Sequence, residues 1–376
     1  MTTQVGYWRA GDDPGAREFV TLNGEGGRGF TFEGGGRLAS VTVAYESWGT
    51  LDATRSNAVL VLHALTGDSH ALGEAGHGHP TPGWWNGLVG PGLAIDTNEF
   101  FVICPNVLGG AQGTTGPSSI GDDGQRFGSR FPVITVRDQV AVEVALADHL
   151  GIPAWHAVVG GSMGAMRVLE WAVGYPDRVT RSIVLAVGAV STPDQIAQTS
   201  LQIRAIRADP NFLGGDYYES NRAPREGLAI ARGLGQITYR SSQEFDTRFG
   251  RSPQGESDPL RGGLYAIESY LSHHGEKLSG RFDANSYVVL GEAMNHHDVG
   301  RNRGGVAKAL SVIQSQTTVI GIDSDRLYPL ALQEQLVDLI PDARPLFVVT
   351  SGVGHDGFLL EVDQIGKIVG AALIDV

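Results

Sequence analysis

His156-Ala157-Val158-Val159-Gly160-Gly161-Ser162-Met163-Gly164-Ala165-Met166 is the stretch on which the fold turns. An apolar, β-branched run leads into Gly-x-Ser-x-Gly, and a helix-compatible segment, Ala165 to Ala172, follows. Strand, glycine-flanked serine and helix in that order predict a nucleophile elbow, a tight turn that strains the serine backbone and exposes its Oγ. The glycines are needed because the two backbones pass too close for a Cβ. In a chain with 53 glycines the bare pattern is weak. A turn serine without chemistry is the alternative, and the strand before and helix after it argue against that.

Outward from the elbow, short apolar runs alternate with helical stretches, the signature of a mostly parallel sheet. Asn57–His63, Phe100–Cys104, His156–Val159 and Ser182–Val187 read as strands covered on both faces, and Val41–Tyr45 as an edge or antiparallel strand. Val136–Leu150 has helical periodicity and stops at Gly151-Ile152-Pro153. From about Ser191 to Gln314 the strand signals vanish and helical stretches take over. They resume at Thr317–Ile322 and Leu346–Thr350, separated by a helix over Tyr328–Leu339 and followed by one over Phe358–Leu373. Residues 1–190 and 315–376 should therefore form one α/β core, interrupted by a helical lid over 191–314 placed after the strand that follows the elbow helix.

Composition narrows the function. A net charge of −13 argues against nucleic acid, which needs a basic footprint. The single cysteine, Cys104, rules out an intrachain disulfide and reads as an inert core thiol. Met1 to Gly15 is polar with no apolar signal region, and no apolar run approaches membrane-spanning length, so a soluble cytoplasmic protein with no membrane association is expected. Between Leu201 and Arg251 stand eight arginines against six acids, which suits either an anionic small ligand or a helical surface laced with ion pairs. The pairs His77/His79, His273/His274 and His296/His297 have no ligand motif around them and read as surface or loop histidines, so no metal is expected.

A serine nucleophile requires a base, and the base an orienting acid, in the chain order Ser…Asp…His. After Val319-Ile320-Gly321 comes Ile322-Asp323-Ser324-Asp325-Arg326-Leu327-Tyr328-Pro329, an acidic loop at the end of a late strand. Asp325 has the spacing of the triad acid; Asp323, the competing candidate, reads as a brace for the loop. The base is His355, between glycines in Gly352-Val353-Gly354-His355-Asp356-Gly357 and at the end of the last strand. Acyl transfer also needs two backbone N–H groups on the developing oxyanion. One should come from Met163, the other from Leu65 in the loop after Val59–Leu62.

These segments resemble the homoserine O-acetyltransferase family of the α/β-hydrolase superfamily. The resemblance rests on Tyr45-Glu46-Ser47-Trp48-Gly49-Thr50-Leu51, His63-Ala64-Leu65-Thr66-Gly67, Asn106–Gly110 with Gly113–Ser119, Gly160–Met166, Ala231-Arg232 with Ile237-Thr238-Tyr239, Gly321–Pro329 and Gly354–Phe358. Ala165 and Arg167 depart from the Gly and Gln common in the family. The resemblance implies an α/β-hydrolase fold and an acetyl-CoA-dependent enzyme of methionine biosynthesis. It implies ping-pong transfer through an acetyl-serine to L-homoserine, no permanently bound cofactor, and a homodimer formed through the lid, to which Phe212–Tyr218 and Leu264–Tyr270 could contribute. It also implies Arg232 for the homoserine carboxylate, Asp356 for the ammonium and Tyr239 as a further contact. On the residues alone, Arg232 could be a surface arginine and Asp356 a helix cap. Arg167 keeps a succinyl donor open, although five positions past the serine it should turn away from the pocket. A serine acceptor, an esterase and a non-catalytic binding protein of the same fold are the remaining alternatives.

Overall fold

The computed structural model describes residues 6–220 and 222–374; the first five residues of the polar N-terminal stretch lie outside that range. Eight strands form one sheet: β1 (Glu18–Leu22), β2 (Val41–Trp48), β3 (Ala58–Leu62), β4 (Phe101–Pro105), β5 (Ala157–Gly161), β6 (Arg181–Leu185), β7 (Gln316–Ile322) and β8 (Phe347–Val349). Their spatial order is β1-β2-β4-β3-β5-β6-β7-β8. β2 runs antiparallel to both neighbours, with Thr21 opposite Thr42 and Tyr45 opposite Pro105. All remaining pairs are parallel.

Parallel strands need helical crossovers, and these cover both faces. Alternate residues of β3 accordingly enter different cores: Leu60 and Leu62 pack into one apolar cluster, Val59 and Val61 into the other. All four are wholly buried, each contributing about 2 kcal/mol of apolar transfer. This explains why the central strands read as unbroken apolar runs. Cys104 on β4 is buried in the same way. β2 is antiparallel but is no edge, because β1 pairs along its outer side.

Helix α1 (Val136–His149) opens on a capping box, in which the Thr135 hydroxyl and Asp138 carboxylate exchange bonds with each other's amides. Helix α2 (Met163–Gly174) follows the elbow and is buried nearly throughout. Between β6 and β7 come α3 (Pro193–Ala208), α4 (Arg225–Tyr239), α5 (Ser242–Arg248), α6 (Ala266–Ser279), α7 (Ala284–Asn295) and α8 (Val306–Leu310). After β7 stand α9 (Leu330–Leu339), α10 (Gly357–Leu360) and α11 (Val362–Ile374). The C-terminal helix read as continuous is thus two helices, broken at Glu361 (φ −84°, ψ 52°). Among the described residues no helix is long and apolar enough to cross a membrane.

Candidate active site

Ser162 sits between β5 and α2 with φ 56° and ψ −124°, a conformation a Cβ makes costly. It is held there by the close approach of strand and helix. A Cβ on Gly164 would collide with the Leu62 carbonyl oxygen, and one on Gly160 would lie 2.7 Å from the Gly164 carbonyl carbon. A serine at a helix start usually caps it, but Ser162 makes no side-chain cap bond, which leaves its Oγ free for another partner.

That partner is His355, whose Nε2 lies 2.9 Å from Ser162 Oγ. On its other side Nδ1 lies 2.6 Å from Asp325 Oδ2. Asp325 is fixed in turn, because its Oδ1 accepts the amides of Leu327 and Tyr328 at 2.8 and 2.9 Å. Asp323 points elsewhere and accepts the Ser351 amide at 2.9 Å, bracing the loop before His355. Burial disfavours a charged His355, yet the Asp325 carboxylate outweighs it and holds the imidazole above its ordinary pKa. The rings of Tyr328, Phe358 and Tyr239 surround it at 5.2, 5.3 and 6.0 Å between centroids.

Met163 opens α2, so its amide has no intrahelical acceptor. Leu65 stands in the loop after β3. Ala64, Leu65, Thr66, Ser162 and His355 all line one cavity of about 110 Å³. Arg232, Tyr239 and Asp356 line it too, so residues from α4, its C-terminus and the His355 loop converge there. The guanidinium of Arg232 stacks on Tyr239 at 5.4 Å. With the Gln236 amide oxygen turned toward it, Arg232 also donates through Nε and Nη2 at 3.2 and 2.9 Å. Asp356 occupies the cap position of α10 but makes no cap bond. Its Oδ2 lies 3.0 Å from Arg240 Nε. Burial raises the Tyr239 phenol, so it is a neutral donor.

Most of the remaining arginines between 201 and 251 serve the surface, as in Arg207–Glu292 and Arg248–Glu244. Arg167 is fully buried, its Nη1 2.7 Å from Glu143 Oε1 and its Nη2 donating to the His63 carbonyl. It therefore faces away from the cavity. Of the stretches offered for a subunit contact, Phe212, Tyr217 and Tyr270 are buried within the chain, while Leu264 is exposed.

Several lining residues escaped the sequence reading. Gln195, Gln198, Thr199 and Gln202 face the cavity from α3. Their spacing of three, four and seven is that of one helical face, a polar stripe where an apolar one is usual, and this was the available signal. Two of the histidines read as surface or loop residues, His79 and His297, stand in loops but are buried. His297 bonds the Gly188 carbonyl at 3.1 Å, and His79 accepts the Ala16 amide at 2.9 Å. Among the described residues, Glu46, His70 and His79 alone are grouped closely enough to hold a metal ion. Ser69 and His70 both bond the Glu46 carboxylate, at 2.8 and 2.9 Å, and the Ala16 amide occupies His79 Nε2.

A family model for the alpha/beta hydrolase fold matches residues 57–362. A homoserine O-acetyltransferase of Thermobifida fusca is 56% identical over 366 residues, covering 97% of this chain and 96% of its own. One from Mycobacterium leprae is 54% identical over 343 residues, 91% of this chain and 90% of its own. Among solved structures, homoserine O-acetyltransferase from Bacillus anthracis superposes with a TM-score of 0.87 at 30% identity, covering 96% of this chain and 97% of that one. Esterase E22 superposes with a TM-score of 0.85, also at 30% identity, covering 95% of this chain and 99% of that one. With an α/β-hydrolase sheet, a Ser–His–Asp constellation at its elbow and relatives this similar over nearly its whole length, the chain belongs to the homoserine O-acetyltransferase family of α/β-hydrolase-fold enzymes.

Proposed function

We propose that this site moves the acetyl group of acetyl-CoA to the hydroxyl of L-homoserine in two displacements through an acetyl-Ser162, a reaction of methionine biosynthesis. The observation that carries the reading is one cavity holding both a relayed serine and a pair of opposite charges, Arg232 and Asp356. Ser162 Oγ attacks the thioester carbonyl as its proton passes to His355 Nε2. The tetrahedral oxyanion is met by the amides of Leu65 and Met163. The C–S bond breaks, the sulfur takes the proton from His355, and CoA leaves. Homoserine then gives its hydroxyl proton to the same nitrogen and attacks the acetyl carbon; the Oγ–C bond breaks and Ser162 recovers its proton.

Homoserine is a zwitterion, so its pocket needs a cation and an anion at fixed separation. In this reading Arg232 takes the carboxylate, with a planar fork suited to it, Asp356 the ammonium, and Tyr239 supplies a further hydrogen bond. Arg167, which alone suggested a succinyl donor near the serine, has its charge committed to Glu143. Segment 191–314 acts as the lid, keeping water scarce around the acetyl-enzyme. Ile196, Leu201, Ile230 and Ile237 are exposed on it, apolar area that a homodimer through the lid would cover; sedimentation showing only monomer would remove that part.

The esterase reading persists because esterase E22 shares the fold closely. One assay separates the two: free CoA released from acetyl-CoA or succinyl-CoA, with homoserine, serine or no acceptor. Release requiring acetyl-CoA and homoserine together is expected. Equal release without acceptor would overturn both the transfer reading and the role of the lid.

A further inference from the structure

The loop carrying Leu65 is held in place by side chains from three directions. The His63 carbonyl accepts from Arg167 Nη2, whose guanidinium is anchored by Glu143, itself held by Trp171 Nε1 at 2.8 Å. The Ala64 carbonyl accepts from His63 Nδ1 at 2.8 Å and from the Gly67 amide at 3.0 Å. The Thr66 carbonyl accepts from Arg281 Nη1 at 3.0 Å, across 215 residues of chain. Arg281 lies between α6 and α7, in the lid.

The geometry of the peptide unit makes these bonds consequential. The Ala64 carbonyl and the Leu65 N–H belong to one planar trans peptide and point in opposite directions. Fixing the carbonyl therefore aims the N–H. The His63 ring can do this because its Nε2 accepts the Val107 amide at 3.0 Å, which leaves the proton on Nδ1. Burial, followed by the nearby Arg167 charge, pushes the His63 pKa down to about 3, so this neutral form persists at any working pH.

We propose that His63, Arg167 and Arg281 are positioning residues for the oxyanion hole, and that Arg281 makes the aim of the Leu65 amide depend on the lid. The proposal rests on the reading of Ser162 as the nucleophile. None of the three needs to touch substrate; each acts through the Leu65 peptide and its neighbours.

The test is rapid-mixing acetylation of Ser162 by 4-nitrophenyl acetate and by acetyl-CoA, in wild type, Arg281→Met and Arg281→Lys. Burst amplitude counts competent sites and burst rate reports the transition state. Because a lost oxyanion donor costs about 10²- to 10³-fold, a misaimed one should slow the Arg281→Met burst at least about tenfold. Its amplitude, the KM for donor and the acid limb set by His355 should stay at wild-type values, and lysine, which can still donate to Thr66, should restore most of the rate. A merely structural arginine would lower the amplitude or the melting temperature and leave the rate per site intact. Arg167 is best tested together with its partner, as Arg167→Met/Glu143→Met, since removing one member would strand a buried charge; the same split is expected. A burst rate for Arg281→Met within about twofold of wild type, in folded protein, overturns the proposal. No burst in the wild type with either donor overturns the nucleophile reading beneath it.

Discussion

Replacing Asp325 by asparagine should reverse the proton on His355. Asp325 presents one oxygen to the Leu327 and Tyr328 amides and the other to His355 Nδ1. Asparagine has only one oxygen, and two backbone donors compete for it against a single imidazole. The amide oxygen therefore stays with the backbone and its NH₂ turns to His355, which can accept it only with Nδ1 unprotonated. The remaining proton then sits on Nε2, the nitrogen that must receive the proton of Ser162. A triad locked in the wrong tautomer loses about 10⁴-fold in kcat, about 5.5 kcal/mol of barrier. The assay is CoA release with saturating acetyl-CoA and homoserine, repeated across pH. Catalysis needs a neutral imidazole, so activity falls as pH drops through the His355 pKa, and the wild-type acid limb should lie above the ordinary histidine value. The Asp325 charge is what raises that pKa, so the limb of the residual Asp325→Asn activity should move to lower pH. A variant within about tenfold of wild type, or one whose limb moves upward, would refute the assignment of Asp325 as the orienting acid.

Further expectations concern the elbow and the acceptor pocket. Ser162→Ala should abolish turnover and the acetyl-enzyme seen by intact mass, while leaving the melting temperature nearly unchanged. Ser162→Gly should be equally inactive but about 1 kcal/mol more stable than Ser162→Ala in urea, because glycine tolerates φ 56°; equal stability would show that the elbow stores no strain. Gly164→Ala should cost about 3 kcal/mol or prevent folding, since its methyl group has no room beside the Leu62 carbonyl. Arg232→Ala should raise the homoserine KM about 10- to 100-fold, the worth of a charge-assisted bond, and spare acetylation of Ser162; an unchanged KM would remove Arg232 from the carboxylate site.

What could be read in advance depended on how local the physics was. β3 through β6 announce themselves because strands buried on both faces must be apolar without a break. The elbow is legible because its steric demands fall on residues next to one another in sequence. β1 was missed: Glu18–Leu22 is an edge strand with Glu18, Phe19 and Thr21 exposed, and its only signal is that it pairs with β2. The break at Glu361 is invisible in a sequence whose helical pattern continues across it. Ser162 and Asp325, which the structure brings to His355, lie 193 and 30 residues from it along the chain, and each of the three can be read from its place after a recognisable strand. Arg281 stands at no such place. Its partner is a backbone carbonyl far away in sequence, and no side-chain pattern advertises a carbonyl.

The solitary cysteine bears on how this enzyme is measured. Cys104 stands on β4 within the sheet with its thiol wholly buried, and that burial drives its pKa well above the ordinary value. Thiolate, the form that reacts with disulfide indicators, is thus both scarce and shielded on the protein. If the proposed reaction holds, a colorimetric thiol reagent added to the native enzyme will register liberated CoA against a blank protein background, and an excess of such reagent can follow turnover continuously without disabling the catalyst. The same reagent should react with one equivalent of Cys104 only when the sheet opens, so a single chromophore can report catalysis in the folded state and the rate at which that state is lost.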